Sequence, residues 1–304
     1  MIRVLVTGAG GQVGAEVVRE LQGRAQVHAR ERALLDVADP ASIREGVRAA
    51  RPDVIVNCAA YTAVDRAETD REAAHAANVV GPGVLGEEAK RCGALLLHFS
   101  TDYVYDGSKP APYVEEDPVN PLSVYGATKL EGEQAVAASG AAHLVLRTSW
   151  VYGPRGRNFL FTMLRLARER PELRIVDDQK GAPTSSRALA RLVREILDRG
   201  GDIEAISRDE IERVSSASGI YHATAAGATT WFGFAGAIFD EMARQDRLAF
   251  AAPRLVPIAT RDYPTPARRP ANSVMSNEKL RAAFGVSIAD WRAGLEEVVS
   301  AIPA

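Results

Sequence analysis

The feature that most constrains this chain is a repeated alternation: short runs that are apolar on both faces, each followed by a stretch with helical spacing. "IRVLVTG" is a β-branched run ending in glycines, and apolar residues then recur at helical intervals from Val13 to Leu21. "AQVHA" reads as a second strand. "DPASIREGVRAARP" reads as a helix opened by Asp39 or Ser42, and "DVIVNCAA" as a third strand. A long helical stretch follows, then the strand "ALLLHFST", a helix around "YGATKLEGEQAVAAS" and the strand "HLVLRTSWVYG". Strands buried on both faces and separated by helices predict a parallel, doubly wound α/β sheet of Rossmann type. Residues 1–152 are thus expected to form a dinucleotide-binding domain. The less regular 153–304, with Pro and Arg concentrated in "RDYPTPARRPANS", is expected to form mainly a smaller α/β substrate-binding lobe, with some segments returning to the Rossmann core. "GGDIEAISRDEIERVSSAS" (Gly200 to Ser218) fits neither pattern and receives no function.

Composition removes several classes of function. The 37 Lys and Arg against 39 Asp and Glu give a net charge of -2, without the basic field that draws a chain to nucleic acid. The start is apolar too briefly for a signal peptide, and no run reaches the roughly 20 apolar residues of a membrane span. A soluble cytoplasmic protein is expected. Cys58 and Cys92 and the five histidines lack the spacing of a metal site, so no metal is assigned.

Between the first strand and helix, "TGAGGQVG" places Gly8, Gly11 and Gly14 three apart. Glycines there permit a tight turn and close backbone approach to a pyrophosphate, whose charge a helix N-terminus favours. Gly8, Gly11, Gln12, Val13 and Gly14 are therefore candidate cofactor residues, in a wider spacing than the usual fingerprint. The second strand runs into "HARERALLDV", a basic segment where an NAD-preferring protein often carries an acid. Arg30 or Arg32 would meet a 2′-phosphate, which favours NADPH with NADH as the alternative. Asp36 and Val37 would lie near the adenine.

Tyr125 and Lys129 stand at i and i+4 on one helix face. A free tyrosine has a pKa of roughly 10, and an adjacent ammonium would lower it by favouring the phenolate. Thr101 ends the preceding strand, on the side where open α/β sheets bind ligands, and is placed to hydrogen-bond a substrate oxygen.

Glycine turn, strand-end hydroxyl and Tyr-x-x-x-Lys together resemble the extended short-chain dehydrogenase/reductase family over nearly the whole chain. "NCAAYTAVDRAE", "STDYVYDG", "RTSWVYG", "DQKGAPTS" and "YPTPARRPANS" narrow the resemblance to the dTDP-4-dehydrorhamnose reductases. That resemblance implies nicotinamide-dependent reduction of a 4-keto sugar carried on dTDP. Tyr125 would be the proton donor, Lys129 its electrostatic partner and ribose ligand, and Thr101 the residue that orients the carbonyl. Ala59, Ala60, Tyr61 and Thr62 would line the cofactor. Val64, Asp102, Tyr103 and Trp150 match substrate positions, and Arg268 and Arg269 would receive the diphosphate. Some members are metal-bridged homodimers through acidic surface residues, and only Glu16 matches that pattern.

Three other readings share these motifs. A nucleotide-sugar dehydratase typically follows its threonine with Asp-Glu, where this chain has Asp102 and Tyr103. An epimerase would retain its NAD. A non-catalytic NADP-binding subunit, like the methionine adenosyltransferase regulatory protein, would keep the same residues for cofactor binding alone.

Overall fold

The computed structural model describes residues 1–198 and 205–302; the Gly200–Glu204 part of the unassigned segment lies outside them. The main sheet contains β1 (Arg3–Thr7), β2 (Gln26–Arg30), β3 (Val54–Asn57), β4 (Leu95–Thr101), β5 (His143–Thr148) and a sixth strand, Gly219–His222. Their spatial order is Gly219–His222, β5, β4, β3, β1, β2, and every pairing is parallel. Side chains alternate across the sheet. Val4, Val6, Val54, Val56, Leu95, Leu97, Leu144 and Leu146 enter one apolar core, whereas Leu5, Ile55, Leu96 and Val145 enter another on the opposite face. Two filled faces explain why these strands read as continuous apolar runs.

The connecting helices are α1 (Gln12–Leu21), α2 (Pro40–Ala50), α3 (Val64–Ala67), α4 (Arg71–His75), α5 (Gly81–Cys92) and α6 (Val124–Ala138). Asp39 rather than Ser42 caps α2, its side chain accepting from Ala41 N at 2.9 Å with Pro40 in the first turn. The single long helix expected before β4 is broken into α3, α4, a wide π turn at Ala76–Val80 and α5. Pro82 has no N–H with which to continue the helical ladder, and the turn preceding it is widened.

The strand expected to run through Gly153 stops at Thr148. Trp150 takes a left-handed φ of 47°, and Val151–Tyr152 pairs instead with Thr184–Ser185. That conformation is costly for a bulky residue and turns the chain out of the sheet at its carboxyl edge. Sixty-odd residues on, Gly219–His222 comes back to pair with β5, so part of the second half completes the first half's sheet.

Glu16, expected on the surface, is wholly buried on α1, with Arg19 at 2.7 Å, Arg155 at 3.5 Å and Arg187 at 3.8 Å. Three guanidinium groups cover the carboxylate. Among the described residues, no helix is long and apolar enough to cross a membrane, and no three His, Cys, Asp or Glu side chains cluster to hold a metal.

Candidate active site

Sheet order reverses beside β1, with β2 on one side and β3 on the other, and the crevice at the carboxyl ends of such strands is where α/β sheets bind ligands. A cleft of about 1000 Å³ opens there, running from the glycine turn to Trp150. Gly8 has a φ of 62°, and a Cβ on it would press into the Cys58–Ala59 backbone. Gly11 caps α1 without a side-chain hydrogen bond, and no acid occupies the helix's first turn. The first-turn amides and the dipole of α1 therefore face the cleft with no side chain of the helix itself competing for them, which fits a dinucleotide pyrophosphate.

Gly8, Gly11, Gln12, Val13, Asp36, Val37, Ala59, Ala60, Tyr61 and Thr62 all line the cleft. Two candidates do not. Gly14 lies behind the turn, where a Cβ would collide with the Gly8 carbonyl, so it sets how closely α1 approaches β1 and has no wall of its own. Arg30 turns back on the Ala29 carbonyl at 3.3 Å and is not part of the wall; Arg32 is, paired with Asp36 at 3.1 Å. Strand β2 ends at Arg30, and the turn that follows sends the next two side chains to the cleft. The acid thought missing from this end is Glu31, which lines the cleft beside Gly10.

At the other end, Thr101 stops β4 and its hydroxyl donates to Asp102 at 3.0 Å. Ser123 caps α6 by accepting from Gly126 N at 3.2 Å, which starts the helix one residue before Tyr125. The Tyr125 ring meets Tyr103 edge to face, with centroids 5.5 Å apart. Burial pushes the Tyr125 phenol up to about 12, against a hydrogen bond with Thr101 and with the Asp102 charge adding to the rise. Lys129 is 2% exposed and donates to the Phe99 carbonyl at 2.7 Å, with His98 Nε2 at 3.2 Å. Burial brings its ammonium down to about 8, opposed by the charge of Glu133. The expected lowering of the tyrosine is thus absent from this arrangement: burial dominates Tyr125, and Lys129 points its donor at the strand.

Asp102 is 2% exposed, and burial raises its carboxyl to about 6 against hydrogen bonds with Ser273 and Thr101. A raised folded-state value means stability is greatest below the unfolded value of 3.8 and is lost as pH rises through 6. Asp102→Asn should therefore match wild type near pH 4 and exceed it by about 2–3 kcal/mol at pH 7. Denaturant unfolding of both proteins across that range checks this, and a gap that does not change with pH would refute it.

Of the substrate candidates, Val64, Asp102, Tyr103 and Trp150 line the cleft. Trp150 stacks on Trp231 with centroids 3.6 Å apart and planes 5° from parallel, and Trp231 donates to Gln179 at 3.2 Å. Arg268 is exposed and apart from the cleft wall. Arg269 is half-buried and held by Asp65 at 2.8 Å, also outside the wall. Its charge is already answered, so a diphosphate would have to share it. Sequence reasoning missed Ser149, Thr148 and Arg157, which line the cleft, and Asn78, whose amide accepts from Tyr61 N at 2.9 Å and donates to Tyr61 O at 3.1 Å. Asn78 holds the Ala59–Thr62 wall in place from inside the π turn, and no local motif announces it.

The family model described as the RmlD substrate binding domain matches residues 2–303. The dTDP-4-dehydrorhamnose reductase of Burkholderia thailandensis is 49% identical over 294 residues, 96% of each chain, and that of Escherichia coli is 40% identical over 98% of this chain and 97% of its own. A crystal structure of dTDP-4-dehydrorhamnose reductase from Bacillus anthracis in complex with NADP superposes with a TM-score of 0.86, at 32% identity and 98% coverage of both chains. A cleft built from a glycine turn, a strand-end threonine and a Tyr-x-x-x-Lys helix, in a chain alike from end to end, places this protein in the dTDP-4-dehydrorhamnose reductase family.

Proposed function

We propose that this chain reduces the C4 keto group of dTDP-4-dehydro-L-rhamnose to give dTDP-L-rhamnose, using NADPH and with Tyr125 as the proton donor. The observation that carries this reading is that Thr101, Tyr125 and Lys129 share one cleft with the glycine turn and with the Trp150 face. NADP is bound by the Bacillus anthracis relative, and the unblocked N-terminus of α1 suits the same pyrophosphate here. Gly8, Gly11, Gln12, Val13 and the Ala59–Thr62 wall would hold the cofactor, with Asp36 and Val37 toward the adenine. When bound, the nicotinamide supplies the hydride for the carbonyl carbon.

The chain's own residues do the rest. Thr101 and Tyr125 orient the carbonyl oxygen, and the Tyr125 O–H protonates the oxygen as negative charge develops on it. With its phenol near 12, Tyr125 is protonated at neutral pH, and an alkoxide is a far stronger base than the phenolate left behind. Trp150 offers a flat apolar face to the sugar or its methyl group, braced by Trp231. Residues 1–152 carry the cofactor while 153–304 mainly face the substrate. The work fits the cytoplasm, where nucleotide sugars and reduced nicotinamides are made, and a homodimer is compatible with it.

The test follows NADPH and NADH absorbance with purified protein and dTDP-4-dehydro-L-rhamnose, with the product identified by mass. Consumption that depends on this chain supports the reductase. Cofactor binding without consumption would overturn it in favour of a regulatory subunit. The same assay addresses cofactor choice. Arg32 favours a 2′-phosphate and Glu31 a ribose hydroxyl, so both cofactors are accepted with NADPH ahead. Arg32→Ala should raise the KM for NADPH about tenfold, the loss of one charge-assisted hydrogen bond, and leave NADH nearly unchanged. An equal effect on both cofactors would assign the preference elsewhere.

A further inference from the structure

A line of buried polar side chains crosses the sheet beneath the cleft, from Thr7 on β1 through Asn57 on β3 and His98 on β4 to Lys129 on α6. All four are at most 2% exposed, so every proton between them must be accounted for. Asn57 Oδ1 accepts from the Ala59 amide at 3.2 Å and from the Thr7 hydroxyl at 2.6 Å. A backbone N–H can only donate. The Asn57 amide is thereby fixed in one orientation, with its NH₂ facing His98 Nδ1 at 2.9 Å. Nδ1 must then carry the lone pair, and a neutral imidazole with a lone pair there has its hydrogen on Nε2. That hydrogen faces Lys129 Nζ at 3.2 Å.

An ammonium has three donors and no lone pair, so it meets an N–H there without a bond, whereas an amine accepts it. We infer that His98, locked by Asn57 as its Nε2–H tautomer, is a positioning residue that holds Lys129 ready to give up its proton and be received as a neutral amine. The inference rests on the reductase reading given above. After Tyr125 gives its proton to the substrate oxygen, a phenolate remains. A proton from the Lys129 ammonium, carried through the cleft that both side chains line, restores the phenol and leaves the amine, whose lone pair accepts from His98 Nε2–H until solvent supplies the next proton.

The surrounding charges are consistent with this. His98 is held neutral, well below its ordinary range, by burial first and then by Lys129 and His143. On α6 the lysine is flanked by Tyr125 and Glu133. Glu133 favours the ammonium but shares its charge with Arg147 of β5, at 2.7 Å, and with Ser100, at 2.5 Å. Asp102 faces Tyr125 from the turn after β4.

The first test is the histidine tautomer of the whole protein, read from long-range nitrogen–proton NMR correlations of ¹⁵N-labelled chain, without and with NADP⁺. Nε2–H at His98 is expected, and Nδ1–H would overturn the inference whatever the activity. This measurement does not depend on turnover, so it separates failure of the tautomer lock from failure of the reductase reading. The second test is the alkaline limb of kcat/KM. Asn57→Asp offers an acceptor to Nδ1 and flips the tautomer, giving the ammonium a lone pair and moving the limb up by about one pH unit. The new carboxylate pulls the same way, so His98→Phe, which removes the N–H and adds no charge, must also raise the limb. A lower kcat with an unmoved limb in the folded His98→Phe protein would mean that His98 only packs.

Discussion

Tyr125→Phe is expected to lower kcat by a factor of about 10² to 10⁴ while leaving the affinity for NADPH within about twofold of wild type, the scale of losing one general acid. The substitution removes a single oxygen. The ring keeps its edge contact with Tyr103 and its place on α6, so the fold and the dinucleotide wall are untouched. In wild type the phenol is fully protonated at neutral pH, hence the loss should be nearly constant from pH 6 to 8. Steady-state NADPH oxidation and a separate cofactor titration by fluorescence check both halves. A variant that keeps a tenth or more of the turnover would remove Tyr125 as the proton donor and leave Thr101 or Asp102 to be tested next.

Arg147→Ala should cost about 3–5 kcal/mol of stability, the largest effect expected of any change outside the cleft, because it strands the buried carboxylate of Glu133. The two side chains are 3% and 1% exposed, and their 2.7 Å ion pair is joined by the Ser100 hydroxyl on the carboxylate side and by Tyr105 on the guanidinium side, at 2.7 Å. Tyr105 continues to His222 on the sixth strand at 2.8 Å. The pair therefore ties α6 to β4, to β5 and to the returning strand. Replacing both partners, as in Glu133→Met with Arg147→Met, should recover part of the loss, since no unpaired charge is left. Urea unfolding of the three proteins measures this, and a single variant as stable as wild type would show that removing the guanidinium does not strand Glu133.

The parts of the molecule legible in the sequence are those specified by neighbouring residues. Each apolar strand, the glycine turn and the i, i+4 pair on α6 carry their signal within a few positions, and the Rossmann sheet follows from them. What escaped reading depends on distant partners. Trp150 leaves the strand pattern because it stacks on Trp231 some eighty residues later, and nothing in "RTSWVYG" announces a left-handed tryptophan. Arg30 and Arg32 look equivalent in sequence, but β2 ends between them and only one reaches the cleft, with Glu31 beside it. Arg269 looks like a free phosphate ligand until Asp65, two hundred residues earlier, is found holding it. Charge type was readable; charge partner was not.

The pairing of β5 with Gly219–His222 bears on how the chain is made. As it leaves the ribosome, the first half can stack β1 to β5, but the outer edge of β5 must wait for some seventy further residues before its neighbour exists. Until then a buried-type strand, Leu144, Val145 and Leu146, shows unpaired backbone to any other nascent chain. The interval between synthesis of the two strands is therefore the period in which misassembly competes with folding, and it closes only when the second half of the chain arrives.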